Sequence, residues 1–253
     1  MKYNNLCVIQ ARTGSTRLPN KVLLKAGKNS LLEYEIKRVK QSKFIDKIVV
    51  ATTVEKKDDI IEKLCKKIKV DCFRGSEKDV LDRYYKCSLR YQKFKNIVRI
   101  TGDCPLIDPA IIDEVINLFI KNKLDYASNV EKETFPDGMD VEVFKREVLI
   151  EAAKKAKLTS QREHVTLYIR KTKKYKKGNL LSEYDFSNFR LTVDEKEDYE
   201  VIKFLIKNSN IHDGYIKYIS LLKKSPRIMM KNIKIKRNMG LEKSLKDEEA
   251  GNK

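Results

Sequence analysis

The stretch "VIQARTGSTRLPNKVL", residues 8–23, passes from apolar residues into small and basic ones within three positions. The apolar residues 6–9 read as a short buried strand. Residues 31–39 carry apolar side chains at helical spacing, and 45–51 return to a β-branched, strand-like run. Strand, loop, helix and strand in that order make the first unit of a mainly parallel sheet covered by helices. In such sheets ligands bind beyond the carboxyl ends of the strands, which is where this loop falls. Gly14, Ser15 and Thr16 leave room for a ligand at the backbone, and Arg12, Arg17 and Lys21 supply cations. Exposed N–H groups with guanidinium and ammonium donors suit a triphosphate. The loop matches neither G-x-x-x-x-G-K-[ST] nor G-x-G-x-x-G, so the pattern alone leaves a phosphate cradle and a solvated charged loop equally open.

The alternation continues along the chain. Helical spacing at 58–68, a strand at 70–73, a helix at 79–91, a strand at 97–100 and a helix at 109–120 extend the sheet. Pro109 stands at a helix start, where its missing N–H is tolerated. From residue 126 the rhythm changes. Runs 126–130 and 139–144 read as strands joined by a polar loop holding "FPDGMD", which predicts an antiparallel insertion. Helices are expected at 146–156 and 161–170, an extended "FRLTV" at 189–193, and helices at 197–207 and 214–224. The tail from 225 is polar and charged, and "EKSLKDEEAGNK" at its end is too polar to bury much surface, so flexibility is expected there. The reading is an α/β fold: one domain over 1–224 with an insertion at about 126–190, then a basic tail over 225–253.

Composition narrows the partners. The 253 residues include 55 Lys and Arg against 36 Asp and Glu, a net charge of +19 that favours anionic ligands. Most of the surplus is Lys spread along whole elements, as in 171–178, which reads as solvated faces. Zinc spacing, an RNA-binding aromatic signature and a basic zipper are all missing, which argues against nucleic acid. Five cysteines without a C-x-x-C pair, mostly within apolar runs, fit reduced and buried thiols. The N-terminal apolar run is too short for a signal peptide, and no segment approaches the ~20 apolar residues of a membrane span. A cytoplasmic protein is expected.

Further chemistry is expected at other strand ends. Asp103, in "TGDCPLIDP", follows the strand at 97–100, and Asp194, in "TVDEKED", follows "FRLTV". Each can hold a divalent cation facing phosphates, and each can equally cap a turn or helix. In "FRGSEKDVLDRYY", Gly75 and Ser76 can read a base, or Ser76 and Asp79 can cap the next helix. His164, in "SQREHV", is a candidate general base or a structural histidine, and His212 reads as a local cap or surface residue.

Taken in order, "IQARTGSTRLPNKVL", "VVATT", "FRGSEKDVLDRYY", "RITGDCPLIDP", "FPDGMDVEVF", "REHVTLYIR" and "LTVDEKEDYEVI" resemble the cytidylyltransferase family over residues 5–205. The branch it resembles most is that of spore coat polysaccharide biosynthesis protein F, related to the enzymes that make CMP-sialic acid and CMP-3-deoxy-manno-octulosonate. The resemblance implies a Rossmann-like nucleotidyltransferase fold. It also implies transfer of a cytidylyl group from CTP to an acceptor oxygen with release of pyrophosphate, Mg²⁺ as cofactor, and a homodimer. An apolar helix face at Ile216, Ile219, Leu221 and Leu222 can serve the dimer or the core. By position, the family's nucleotide contacts fall on Ala11, Arg12, Thr13, Gly14, Ser15, Arg17, Lys21, Gly75, Ser76, Asp79, Thr101 and Gly102. Arg17, Lys21 and Asp103 take catalytic positions, and Asp103 and Asp194 the metal. Acceptor candidates in the middle segment are Asp137, Arg162, Glu163 and His164. The opening "QART" departs from the "PAR" of the sialic acid and octulosonate enzymes, which leaves the acceptor open: an acidic sugar for surface polysaccharide or glycoconjugate synthesis, or a sugar phosphate, polyol phosphate or phosphonate. A metal-dependent glycosyltransferase consuming a nucleotide sugar is the alternative from another class.

Overall fold

The computed structural model describes residues 3–251. The chain begins with β1 (Asn5–Gln10) and passes through a short hairpin, β2 (Lys25–Ala26) and β3 (Asn29–Ser30), into α1 (Leu31–Val39). It then alternates through β4 (Lys47–Thr53), α2 (Asp59–Lys67), β5 (Asp71–Gly75), α3 (Val80–Arg90), β6 (Asn96–Thr101) and α4 (Pro109–Lys121). β7 (Tyr126–Ser128), β8 (Glu142–Lys145), α5 (Arg146–Lys155), α6 (Thr159–Glu163), α7 (Leu167–Lys171) and β9 (Lys177–Asn179) follow. The chain closes with α8 (Lys196–Lys207), α9 (Tyr215–Lys223), α10 (Pro226–Met229) and α11 (Met239–Gly251).

Seven strands form one sheet in the order β5-β4-β1-β6-β8-β7-β9. β5, β4, β1 and β6 are mutually parallel, whereas β8 runs antiparallel to β6 and β7. Successive β1 side chains go to opposite faces: Leu6 and Val8 join one apolar cluster, Cys7 and Ile9 the other. Burial on both faces is why the strand reads as an unbroken apolar run. Residues of α1, α2, α4, α8 and α9 cover the Cys7 face, and those of α3, α5 and α7 cover the Leu6 face. From β1 the chain builds outward through β4 and β5, then returns to the other side of β1 at β6. The crevice beyond the ends of β1 and β6 is therefore the switch point where such sheets take ligands.

The structure departs from sequence expectation in places where tertiary contacts dominate. The helix expected at 161–170 is split into α6 and α7, because Val165 adopts a left-handed φ of 50° and is fully buried. "FRLTV" forms only an isolated bridge between Asp137 and Arg190. The run is still tied down, since Asp137 N–H donates to the Phe189 carbonyl (2.9 Å), Leu191 N–H to Asp137 (2.7 Å) and Val193 N–H to Asp103 (2.8 Å). Gly138 makes this approach possible: at φ 95° a Cβ would lie 2.6 Å from the Leu191 carbonyl carbon and the Thr192 nitrogen. The short β9 was not anticipated. The polar tail is helical over Met239–Gly251 and bonded to α6, as described below. On α9, Ile219 and Leu222 are buried in the core, while Ile216 is exposed. The five cysteines are unpaired, and Cys72 alone is not fully buried. No helix among the described residues is long and apolar enough to cross a membrane.

One core carboxyl is wholly unsatisfied. Glu35, on α1, is fully buried, and neither carboxyl oxygen has a hydrogen-bond partner among the described residues. Burial, and next the nearby charge of Asp103, raise its pKa well above the ordinary range. The folded protein thus holds a proton there that the unfolded chain releases at about pH 4.3. Stability consequently falls as pH rises through that window, by up to about 1.4 kcal/mol per pH unit. Glu35→Gln is expected to leave the melting temperature almost unchanged at pH 4 and to raise it progressively towards neutrality; a pH-independent difference would contradict this. Gly138→Ala is expected to cost roughly 2 kcal/mol or more in denaturant titration, because both the φ and the space are forbidden to a side chain.

Candidate active site

The loop after β1 is pinned from beneath. Thr13 donates its N–H (2.8 Å) and hydroxyl (2.6 Å) to one oxygen of Asp58, and the Thr53 hydroxyl donates to the other. Burial alone would raise the Asp58 pKa, but these hydrogen bonds outweigh it and hold the carboxylate below its usual range. The Thr13 carbonyl in turn accepts from Ser15 N–H (2.9 Å) and Asn20 N–H (3.0 Å), which folds the loop back on itself. Asn20, at φ 58°, opens a turn over Lys21–Leu23 whose Val22 is buried. Lys21 is thereby directed at the ends of β6 and "FRLTV".

Asp103 is set by the residue before it. Gly102 N–H donates to the Gln10 carbonyl (2.8 Å), and a Cβ on Gly102 would stand 2.9 Å from that oxygen, so glycine is required where β6 meets β1. The Asp103 carbonyl accepts from Val193 N–H (2.8 Å) and the Thr192 hydroxyl (3.1 Å), which brings Asp194 alongside. Lys21 Nζ lies 3.0 Å from Asp103 Oδ2 and 2.7 Å from Asp194 Oδ1. Arg17 reaches Asp194 and Glu195, each at 3.0 Å. Behind Asp194, the buried Arg190 bonds its Oδ2 (3.0 Å), and Asp198 accepts from the N–H groups of Asp194 (2.9 Å) and Glu195 (3.0 Å). Burial opposes ionisation of Asp103, yet the Lys21 charge and hydrogen bonds from Thr101, Lys21 and Cys104 bring its pKa down to about 2. Burial likewise works against the Lys21 charge, but Asp103 and Asp194 prevail and raise its pKa. The centre is therefore a fully ionised ammonium bracketed by two carboxylates.

This donor set suits a hard divalent cation. No group of three or more His, Cys, Asp or Glu is gathered at one point among the described residues. Mg²⁺ typically takes one or two protein carboxylates and completes its shell with water and substrate phosphate oxygens, so Asp103 and Asp194 are sufficient.

These residues line a cavity of about 490 Å³, a size usual for small-molecule sites. Of the residues expected from sequence, Ala11, Arg12, Gly14, Ser15, Arg17, Lys21, Thr101, Gly102, Asp103, Asp194, Glu163 and His164 face it. Others are placed elsewhere. Thr13 lies under the loop, and Gly75 packs against Arg83 and Phe73. Ser76 accepts from Asp79 N–H (3.0 Å), and Asp79 caps α3 through Asp82 N–H (2.8 Å). Arg162 is bonded to Asp79 and to the carbonyls of Ala153 and Ala156, which gives it a packing role. Asp137 pairs with Arg190 and Arg237 away from the cavity; burial, then the Asp140 charge, push its pKa up to about 7 against the pull of both arginines. Burial lowers the His164 pKa, and Nε2 lies 3.0 Å from the Ser244 hydroxyl.

The cavity also includes residues that the sequence reading passed over. Gln10 and Arg99 lie side by side on β1 and β6, and Arg99 pairs with buried Glu142. An Arg interrupting the apolar strand "IVRIT" was the available signal. Arg83 on α3 donates to the Ser76 carbonyl (2.7 Å), and burial lowers its pKa. Met239, Gly240 and Lys243 come from the tail, where local sequence carries no sign of a site.

Comparison with known proteins identifies the family. The profile of the family described as Cytidylyltransferase matches residues 6–235, ending short of α11. The chain is 40% identical over 212 residues to spore coat polysaccharide biosynthesis protein SpsF of Bacillus subtilis, covering 81% of this chain and 87% of that one. A cytidylyltransferase structure from Leptospira borgpetersenii superposes with a TM-score of 0.85 at 39% identity, covering 89% of this chain and 96% of that one. CMP:2-keto-3-deoxy-manno-octonic acid synthetase complexed with CTP shares the fold with a TM-score of 0.64 at 16% identity, over 81% of this chain and 98% of that one. A cavity at the switch point of the sheet, with cations on the first loop and carboxylates at two further strand ends, is the candidate active site, and the chain belongs to the cytidylyltransferase family, a family of enzymes.

Proposed function

We propose that this enzyme transfers the cytidylyl group of CTP to an acidic sugar or similar small anionic acceptor, with Mg²⁺, for surface polysaccharide or glycoconjugate synthesis. The observation that carries the reading is the convergence of Lys21 and Arg17 on Asp103 and Asp194 within one cavity. The relative complexed with CTP acts on a sugar acid, which supports both nucleotide and acceptor class.

An acceptor oxygen attacks the α-phosphorus, the bond from that phosphorus to its bridging oxygen breaks, and pyrophosphate leaves. Such chemistry depends on positioning and on charge stabilisation more than on covalent help. Asp103 and Asp194 would hold a divalent cation, which would supply Lewis acidity and lessen repulsion between two anionic substrates. Lys21 and Arg17 stabilise the charge that accumulates on the leaving pyrophosphate. Asp58, through Thr13, keeps the loop in place to receive the triphosphate.

Nucleoside triphosphates scored in pairs with 3-deoxy-manno-octulosonate, N-acetylneuraminate, glycerol 3-phosphate and 2-aminoethylphosphonate test the reading. Pyrophosphate release is expected with CTP and an acidic acceptor. Release of a nucleoside diphosphate from a nucleotide sugar would instead make the protein a glycosyltransferase. With the fold intact by circular dichroism, Asp103→Asn and Asp194→Asn are each expected to lower kcat by roughly 10²-fold or more. Wild-type turnover in both would sink the two-carboxylate proposal. Lys21→Ala is expected to reduce kcat/KM for CTP at least ~10-fold, the scale of one charge-assisted contact.

A further inference from the structure

The tail after α9 runs back across the molecule under a series of specific bonds. Asn232, buried, donates its amide to Asp198 (2.9 Å) and to the Arg190 carbonyl (3.2 Å). Arg237 is held by Asp140 (2.5 Å) and Glu133 (3.3 Å), and Asn238 bonds Glu133 (2.7 Å). α11 is then seated on α6. The Glu248 carboxylate accepts from both the N–H (2.5 Å) and the hydroxyl (2.7 Å) of Ser160, in the first turn of α6. One turn earlier, the Ser244 hydroxyl donates to Glu163 (2.8 Å) and lies 3.0 Å from His164 Nε2. Both contacts fix the register of a helix whose own sequence is too polar to dock by burial.

The seating places Lys243, next in sequence to Ser244, on the wall of the cavity that Glu163 and His164 also line. Its situation differs from that of the other basic side chains there. Lys21 and Arg17 are paired with Asp103, Asp194 and Glu195, Arg99 with Glu142 and, at 3.9 Å, Arg12 with Glu77, while Arg83 donates to the Ser76 carbonyl. Lys243 makes no ion pair or hydrogen bond among the described residues, yet it is held at the site by an anchored helix. The triphosphate already has its cations on the loop after β1, so an unpaired ammonium on a separate wall matches the second anion that the reaction needs.

We infer that α11 forms the acceptor wall of the active site and that Lys243 binds the anionic group of the acceptor, a carboxylate or phosphate, with Glu248 as the positioning residue that seats the helix. The inference rests on the anionic-acceptor reading above. It is tested in the full-length protein with whichever of the four acceptors named above gives the fastest pyrophosphate release, alongside calorimetric titration of CTP. Lys243→Ala is expected to raise acceptor KM at least ~10-fold while leaving the CTP Kd within about twofold, and Lys243→Arg to recover most of the loss. Glu248→Ala, which leaves the cavity's own side chains unchanged, is expected to raise acceptor KM several-fold with kcat nearly constant. Unchanged acceptor KM in Lys243→Ala, or CTP affinity falling in step with it, would overturn the inference alone. A wild-type protein that binds CTP yet is silent with all four acceptors fails the anionic-acceptor reading, and this inference with it.

Discussion

The buried guanidinium of Arg190 ties together three acidic stretches of the chain. It donates to Asp198, which is fully buried, to Asp194 at the cavity and to Asp137 in the "FPDGMD" turn. A charge in such a place is tolerable only if its donors are satisfied, and removing one partner of a buried pair typically costs about 3–5 kcal/mol. Asp198 completes the arrangement by accepting from the backbone of Asp194 and Glu195 and from Asn232 of the tail. The loop bearing Asp194, the start of α8 and the returning tail therefore share one electrostatic anchor. It works together with the bonds from Val193 N–H and the Thr192 hydroxyl to the Asp103 carbonyl, which hold the same loop against Asp103 from the other side.

Much of this was legible in sequence, for a physical reason. The parallel strands are buried on both faces, so β1, β4 and β6 announce themselves as apolar runs, and the residues after them fall where ligands bind. Asp103 and Asp194 were readable as strand-end carboxylates even though the second "strand" makes only one bridge. What could not be read was long-range polar pairing. Asp79 and Arg162 are far apart in sequence, where each reads as a substrate contact; in the fold they bind each other. Asp137 was likewise taken up by Arg190 and Arg237. The break at Val165 follows from a buried left-handed residue that helical periodicity does not encode.

The tail shows the same limit from the other side. Composition marks it as polar, and polarity ordinarily argues against docking. Here hydrogen bonds from Ser160, Ser244, Arg237 and Asn238 do what apolar burial does elsewhere. Pairing also bears on the net charge of +19. Most cations at the cavity face carboxylates, so the surplus belongs largely to exposed lysines on helix faces and says little about the site.

The two oxygens of Asp194 are divided in their duties. Oδ2 is held from behind by Arg190, while Oδ1 faces Lys21 and Arg17 in front. The carboxylate can therefore exchange partners on its cavity side without rotating. Freezing a flexible side chain on binding ordinarily costs about 0.5–1.5 kcal/mol of entropy. For Asp194 that cost is incurred when the chain folds, and the site meets its ligand with this rotamer already chosen.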